Sequence, residues 1–142
     1  MEKCNVEERK VKQVIVMRKD LGMRKGKMIA QGSHSSIGAL LKEFSIKEDE
    51  TGVSYECHFE KGSILDKWLN GIFTKICLSV DSEDELVELY ETIKTNAPSI
   101  PCVMIEDCGL TEFHGEKTKT CIGIGPFWAD EIDAFTSHLK LM

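Results

Sequence analysis

Four short stretches of this chain carry apolar side chains in the manner of β-strands. "KQVIVMR" (12–18), "KICLSV" (75–80), "PCVMIED" (101–107) and "TCIGIGP" (120–126) are rich in Val, Ile and Cys and are bounded by turn or charged residues. Two of them are nearly continuous apolar runs, which suits strands covered on both faces. Helical spacing of apolar positions appears instead over 26–44, 82–96 and 129–140. Ser82 followed by Glu85 has the form of a capping box, and acids crowd that first turn, where the helix dipole favours them. The order strand, helix, strand, helix, strand, strand, helix predicts an α/β fold: one domain over 1–142, built as a four-stranded mixed sheet sandwiched by helices.

Residues 45–73 fit no single element and exceed the usual length of a connection, so they read as an insertion after the first helix. Within them "GVSYECHFEKG" alternates weakly, as a flap or hairpin would, and "SILDKWLNG" has the form of a short helix ended by its glycine. The opening residues, 1–11, are charged throughout and lack the apolar core of a secretory signal, so a short flexible leader is expected there.

A chain of 142 residues with 42% hydrophobic and 30% charged content is long enough for one core and has no apolar run approaching the roughly 20 residues of a membrane span. No role for a membrane is therefore expected. Cys4, Cys57, Cys77, Cys102, Cys108 and Cys121 form no C-x-x-C pair and have no ligand spacing to histidine, so neither a metal site nor another cofactor is expected. Thiols inside apolar runs behave as small hydrophobes, which points to a reduced, cytoplasmic protein.

The net charge of −6 conceals a polarity along the chain. Between residues 9 and 27 stand Arg9, Lys10, Lys12, Arg18, Lys19, Arg24, Lys25 and Lys27 against the single acid Asp20, whereas 81–91 hold six acids and no base. A basic patch on an acidic body can steer a polyanion to one face; a merely solvated charged face is the plainer alternative.

Immediately after the basic run comes a helix poor in large side chains, with Gly26, Ala30, Gly32, Ser33, Ser35, Ser36, Gly38 and Ala39. Glycine inside a helix costs about 1 kcal/mol, so close packing or function must offset it. Lys27, Gln31 and His34 fall at i, i+4 and i+7 on one face near the helix N-terminus, where backbone N–H groups already favour an anion. Taken singly, His34 reads equally as a satisfied core histidine and Lys27 as a solvated charge. The glycines do not form a nucleotide fingerprint, because Met28 stands where a phosphate loop needs Ser or Thr. A second cluster lies in "IEDCGLTEF" (105–113), where an apolar strand ends in Glu106 and Asp107 and a glycine turn delivers Thr111. Groups at strand ends in α/β folds line ligand crevices. A hydrogen-bonded Asp/Gly turn capped by Thr111 is the plainer reading of that stretch alone.

Together the two stretches resemble the type 2 peptidyl-tRNA hydrolases of archaea and eukaryotes, which also occur in some bacteria and viruses. "VIVMRKDLGMRKGKMIAQGSHSSIGA" is similar to that family's strand, R-x-D-L-x-M-x-x-G-K and A-Q-x-x-H block; "VMIEDCGLTEF" to its I-x-D-A-G-x-T-Q block; and "TKTCIGIGPFWADEIDAFTSHLKLM" to its closing segment. The likeness covers 12–42 and 74–142 in the right order. It implies hydrolysis of the ester between a peptide and the terminal ribose of tRNA, with peptidyl-tRNA as partner and a homodimer as assembly. Lys27, Gln31, His34, Asp107 and Thr111 match positions in or near the family's cleft, and Arg18, Asp20 and Lys25 match the polar frame of its motif. Leu110 stands where the family usually has Lys or Arg, Glu112 where it has Gln, Gly32 where Cys or Val is common, and Ser35 and Ser36 where it has alanines.

For that ester hydrolysis, a water must be positioned and an oxyanion stabilised. Lys27 is expected to stabilise the oxyanion or a phosphate, Asp107 to orient or activate the water, and Thr111 to hold the water or the carboxylate, with His34 a secondary catalytic residue. Arg18, Asp20, Lys25 and Gln31 are expected to bind substrate. No Ser or Cys sits in a nucleophile arrangement with histidine, which favours direct attack by water. The rival expectation is a non-catalytic RNA-binding or protein-interaction member of the same fold; a small regulatory α/β module is a third.

Overall fold

The computed structural model describes residues 8–110 and 113–142. The elements follow in the order β1 (Val11–Arg18), α1 (Lys25–Leu41), β2 (Ser45–Asp49), β3 (Gly52–Glu56), α2 (Ile64–Leu69), β4 (Lys75–Val80), α3 (Glu83–Asn96), β5 (Cys102–Asp107), β6 (Thr118–Trp128), α4 (Ala129–Thr136) and β7 (Lys140–Leu141). The four strands read from apolar patterning form, and β1 and β6, the two most deeply buried, lie at the centre.

The main sheet has five strands rather than the four expected, in the order β5-β6-β1-β4-β7. The fifth, β7, is two residues long, pairs Leu141 with Leu78 and Lys140 with Ser79, and is continued by the Met142 N–H donating to Cys77 O. Two residues carry no alternation, so no periodicity can announce such a strand; what creates it is the open edge of β4, whose backbone groups need partners. The same event shortens the last helix. The 129–140 pattern is helical only to Thr136, after which the Leu139 N–H donates to Thr136 O and the chain turns back to the sheet.

β1 and β4 are parallel, and β6 runs antiparallel to both β1 and β5, so β1, β4 and β5 point the same way. Their C-terminal ends, Arg18, Val80 and Asp107, therefore emerge at one end of the sheet together with the start of β6. On one face Val14, Val16, Leu78, Ile122 and Ile124 pack under Leu86, Leu89 and Ile93 of α3 and Ile132 of α4. On the other face Ile15, Met17 and Cys121 meet Met23, Leu21 and Met28 beneath α1. At the start of α3 the Ser82 hydroxyl accepts from the Glu85 N–H at 3.1 Å, while the Glu85 carboxylate accepts from the Asp81 N–H, one residue before the usual capping-box donor.

Residues 45–73 hold the β2–β3 hairpin and α2, the latter capped by Ser63 through the Asp66 N–H. Residues 1–7 of the expected leader lie outside the described residues. Glu8 accepts from Lys67, and Arg9 pairs with Asp130 and Glu131 and lies over the Trp128 ring.

The small side chains of α1 have a steric cause. A Cβ on Gly123, in the middle of β6, would stand 2.3 Å from Ser35 O of α1, and a Cβ on Gly38 would meet Val103 at 3.3 Å. The helix backbone thus lies directly on the sheet. Buried Gln13 of β1 ties it down by donating to Ser36 O at 3.0 Å and to Gly125 O at 3.1 Å, while the Ser36 hydroxyl donates to Gln13 Oε1. Gly123→Ala is expected to lower stability by about 1–3 kcal/mol in urea denaturation, because backbone must shift. Gly38→Ala, which meets only side-chain methyls of Val103 and Ile105, is expected to cost less.

Candidate active site

Three of the expected residues converge at the C-terminal end of the parallel strands. α1 begins seven residues after β1, so its first two turns stand over this end of the sheet and carry Lys27 and Gln31 to the tip of β5. Lys27 Nζ donates to Asp107 Oδ1 at 2.9 Å, and Gln31 Nε2 donates to the same oxygen at 3.2 Å. The Gly109 N–H donates to Asp107 Oδ2 at 2.9 Å. Gly109 adopts φ +78°, and a Cβ there would lie 2.4 Å from Glu116 O, so only glycine lets the turn close on the carboxylate. The Asp/Gly turn and the cleft carboxylate, alternatives in the sequence, are one structure.

The Lys27 and Asp107 side chains retain 11% and 14% of their exposure, enough shielding for the pair to act on each other strongly yet not enough to close it from water. Lys27 above all holds the Asp107 carboxyl below the usual aspartate range; partial burial opposes it, and the Gly109 and Gln31 donors add to the lowering. Asp107 is therefore a carboxylate at neutral pH.

Thr120 completes the arrangement, and reading the sequence missed it. Its hydroxyl, fully buried, donates to Gln31 Oε1 at 2.6 Å. With its oxygen so occupied, Gln31 must turn its NH₂ to Asp107, the orientation that a carboxylate, an acceptor only, requires. The next residue, Cys121, donates its thiol to Gln31 O. Neighbours along a regular strand point to opposite faces, so both cannot reach Gln31 without a break in the ladder. The break is present: Ile105 pairs with Cys121 but Glu106 with Lys119, leaving Thr120 as the extra residue of a bulge. The one signal in the sequence was the T-x-T polarity at the head of an otherwise apolar strand.

The remaining residues fall elsewhere. Arg18 forms a fork on Asp20, 3.1 Å through Nε and 2.6 Å through Nη2, and donates to Lys119 O through Nη1, so it ties the end of β1 to the start of β6. Lys25 is exposed at the first position of α1. His34 is also exposed and, among the described residues, makes no hydrogen bond or ion pair; seven residues of helix carry it past the edge of the face that Lys27 and Gln31 share. Thr111 and Glu112 lie outside the described residues. Phe113 packs against the core beneath α1, with Lys27 Nζ 5.6 Å from its ring centre, and Leu110 is exposed at the tip of the turn.

Fold and site together define an α/β protein with a lysine, a glutamine and a carboxylate gathered where parallel strands end. The family model for peptidyl-tRNA hydrolase PTH2 matches residues 11–142, and the chain belongs to that family. It is 36% identical over 132 residues to "Peptidyl-tRNA hydrolase" of Methanocaldococcus jannaschii, covering 93% of this chain and 100% of that protein. It is 37% identical to the protein of that name from Methanopyrus kandleri, covering 92% and 97%. To "Probable peptidyl-tRNA hydrolase 2" of Dictyostelium discoideum it is 35% identical, over 92% of this chain and 54% of that longer protein.

Thr120→Val, nearly isosteric, leaves Gln31 Oε1 buried without a donor. It is expected to cost about 1–3 kcal/mol in urea denaturation and, by freeing the amide to turn, to lower kcat roughly tenfold or more; Thr120→Ser should restore most of both. Lys27→Met is expected to raise the Asp107 pKa, read by carbon NMR titration of its carboxyl. The sign follows from linkage: the stability this carboxylate contributes is present above its unfolded pKa and is lost as pH falls through its lower folded value, and without the cation that loss begins at higher pH.

Proposed function

We propose that this protein releases free tRNA from peptidyl-tRNA by direct attack of water on the ester carbonyl, with Asp107 orienting the water and Lys27 stabilising the oxyanion. The observation that carries the reading is the joint hold of Lys27 and Gln31 on one oxygen of Asp107. A carboxylate offers about four acceptor positions. Oδ1 takes two donors and Oδ2 one from Gly109, so the lone pair left on Oδ2 is where a water O–H would be aligned. A carboxylate of lowered pKa is a weak base. Its contribution is orientation of the water and electrostatic support as the proton departs, not full deprotonation beforehand.

The attacking water oxygen bonds to the carbonyl carbon, and the carbonyl oxygen gains the charge that the ammonium beside the carboxylate stabilises. Collapse breaks the bond to the ribose oxygen, which takes one of the water's protons and leaves as the tRNA hydroxyl; the other proton is released to solvent and the peptide departs as a carboxylate. Thr111 holds the water or the carboxylate in this reading. Lys25, exposed at the start of α1, meets a phosphate, while Arg18 and Asp20, already paired, keep the basic segment in place for tRNA. His34, exposed and unpartnered among the described residues, contacts substrate at most and has no proton-transfer step. A cytoplasmic protein goes with action on tRNA in this reading. No observation favours the non-catalytic alternative.

Asp107→Asn keeps shape and removes charge. With a model N-acylaminoacyl-tRNA, kcat is expected to fall by about two orders of magnitude or more while tRNA affinity stays near that of the unaltered protein. A folded Asp107→Asn protein with undiminished turnover would overturn the assignment and leave Asp107 as a turn residue only.

A further inference from the structure

Peptidyl-tRNA has two unlike sides at the bond that is cleaved: a polyanion beyond the ribose oxygen, and beyond the carbonyl carbon a peptide whose side chains vary. The end of the sheet is two-sided as well. The connection between β1 and α1 exposes Lys19, Arg24 and Lys25, and its one acid, Asp20, is paired with Arg18. It leaves the sheet beside β4, where the Lys19 N–H donates to Val80 O. The turn between β5 and β6 stands on the other side of β1 in the strand order β5-β6-β1-β4-β7. Its described residues, 108–110 and 113–117, carry one acid, Glu116, and one base, Lys117. One wall is therefore basic and the other has no net charge with which to attract phosphate.

Leu110 is the large apolar group that this neutral wall presents, and it is 89% exposed. A single exposed leucine is ordinary on a protein surface; the position of this one is not. The residue before it, Gly109, donates its N–H to Asp107 Oδ2 at 2.9 Å, and its carbonyl accepts from the Gly115 N–H at 2.9 Å. With φ +78° and no room for a Cβ, Gly109 is fixed against the carboxylate. The Leu110 Cα is thereby held within roughly 8 Å of the oxygen that keeps a lone pair for water. A leucine side chain rooted there reaches the groups attached to the attacked carbon. Phe113, from the same turn, has its ring centre 5.6 Å from Lys27 Nζ, so the wall's apolar groups border the cation too.

We propose that the substrate crosses the Lys27–Asp107 pair in one direction, with tRNA over the basic β1–α1 connection and the peptide over the β5–β6 turn, where Leu110 contacts the side chain of the amino acid whose ester is cleaved. With the hydrolase reading as its basis, this orientation makes Leu110 a specificity-determining residue that favours apolar side chains at that position. The opposite orientation fits poorly: Leu110 has no donor for a phosphate, and Lys117 is offset by Glu116.

The test uses the full-length protein and one tRNA body carrying N-acetylated leucine, phenylalanine, glycine or aspartate, so that every phosphate is held constant. Each kcat/KM is divided by the spontaneous hydrolysis rate of the same ester. For the unaltered chain the leucine and phenylalanine values should exceed the glycine value by roughly fivefold to tenfold, the scale of an apolar contact left open to solvent on one side. Leu110→Ala, at an exposed position, should bring that ratio near one. Leu110→Lys should do the same and raise aspartate relative to leucine, while the salt dependence of affinity for deacylated tRNA stays as it was. Three results would overturn the orientation and leave the hydrolase reading standing: equal values for all four esters with the unaltered chain; a preference that survives Leu110→Ala; and a Leu110→Lys chain whose salt dependence steepens by about one contact, which would put tRNA over the turn. Absence of turnover with every ester would remove the hydrolase reading and the orientation with it.

Discussion

The rest of the molecule depends on how closely α1 approaches β6. A helix normally stands off a sheet by the length of its side chains, but here Ser35 O sits where any Cβ on Gly123 would have to be. That contact sets the composition of the helix and the loss of helix propensity that goes with it. It also brings the backbone and side chain of Gln31 within reach of β6, so that Cys121 and Thr120 can both hold it. A leucine-rich helix at ordinary distance would leave Lys27 and Gln31 short of Asp107. The glycines and serines of α1 are therefore as much part of the site as the charged groups.

An ion pair in a partly shielded position is a poor investment in stability, since desolvation offsets much of the attraction. Under the proposed function, Lys27 and Asp107 are instead a functional pair. The cation keeps the acid ionised at a position where both side chains are largely shielded from solvent. The separation of charge along the chain continues this logic on a larger scale. Bases gather in and around the first turn of α1, acids on α3 beneath the opposite face.

Much of the fold was legible because its signals are local. Four strands, three helices and the Ser82 cap follow from alternation, 3.6-residue spacing and capping chemistry, each of which acts within a few residues. Lys27 and Gln31 were legible as a pair because a helix places i and i+4 on one face, and Asp107 because an apolar strand that ends in an acid and a glycine exposes the acid at the strand tip. His34 was placed on that face as well, and it is exposed there.

What the tertiary structure alone decided is everything that depends on a second strand or a distant edge. β7 exists because β4 has an open side, and two residues of chain contain no pattern from which to foresee it. Thr120 faces Gln31 because of a bulge defined by the pairing of β5 with β6, and strict alternation along β6 points it to the wrong face. Arg18 belongs to Asp20 and the Lys119 carbonyl, a role visible only once β1 and β6 lie side by side. The sequence by itself determined which residues could meet at this site and the chemical groups they bring. Direction, register and exposure were settled by long-range pairing, because a strand's side chains have meaning only relative to the strand beside it.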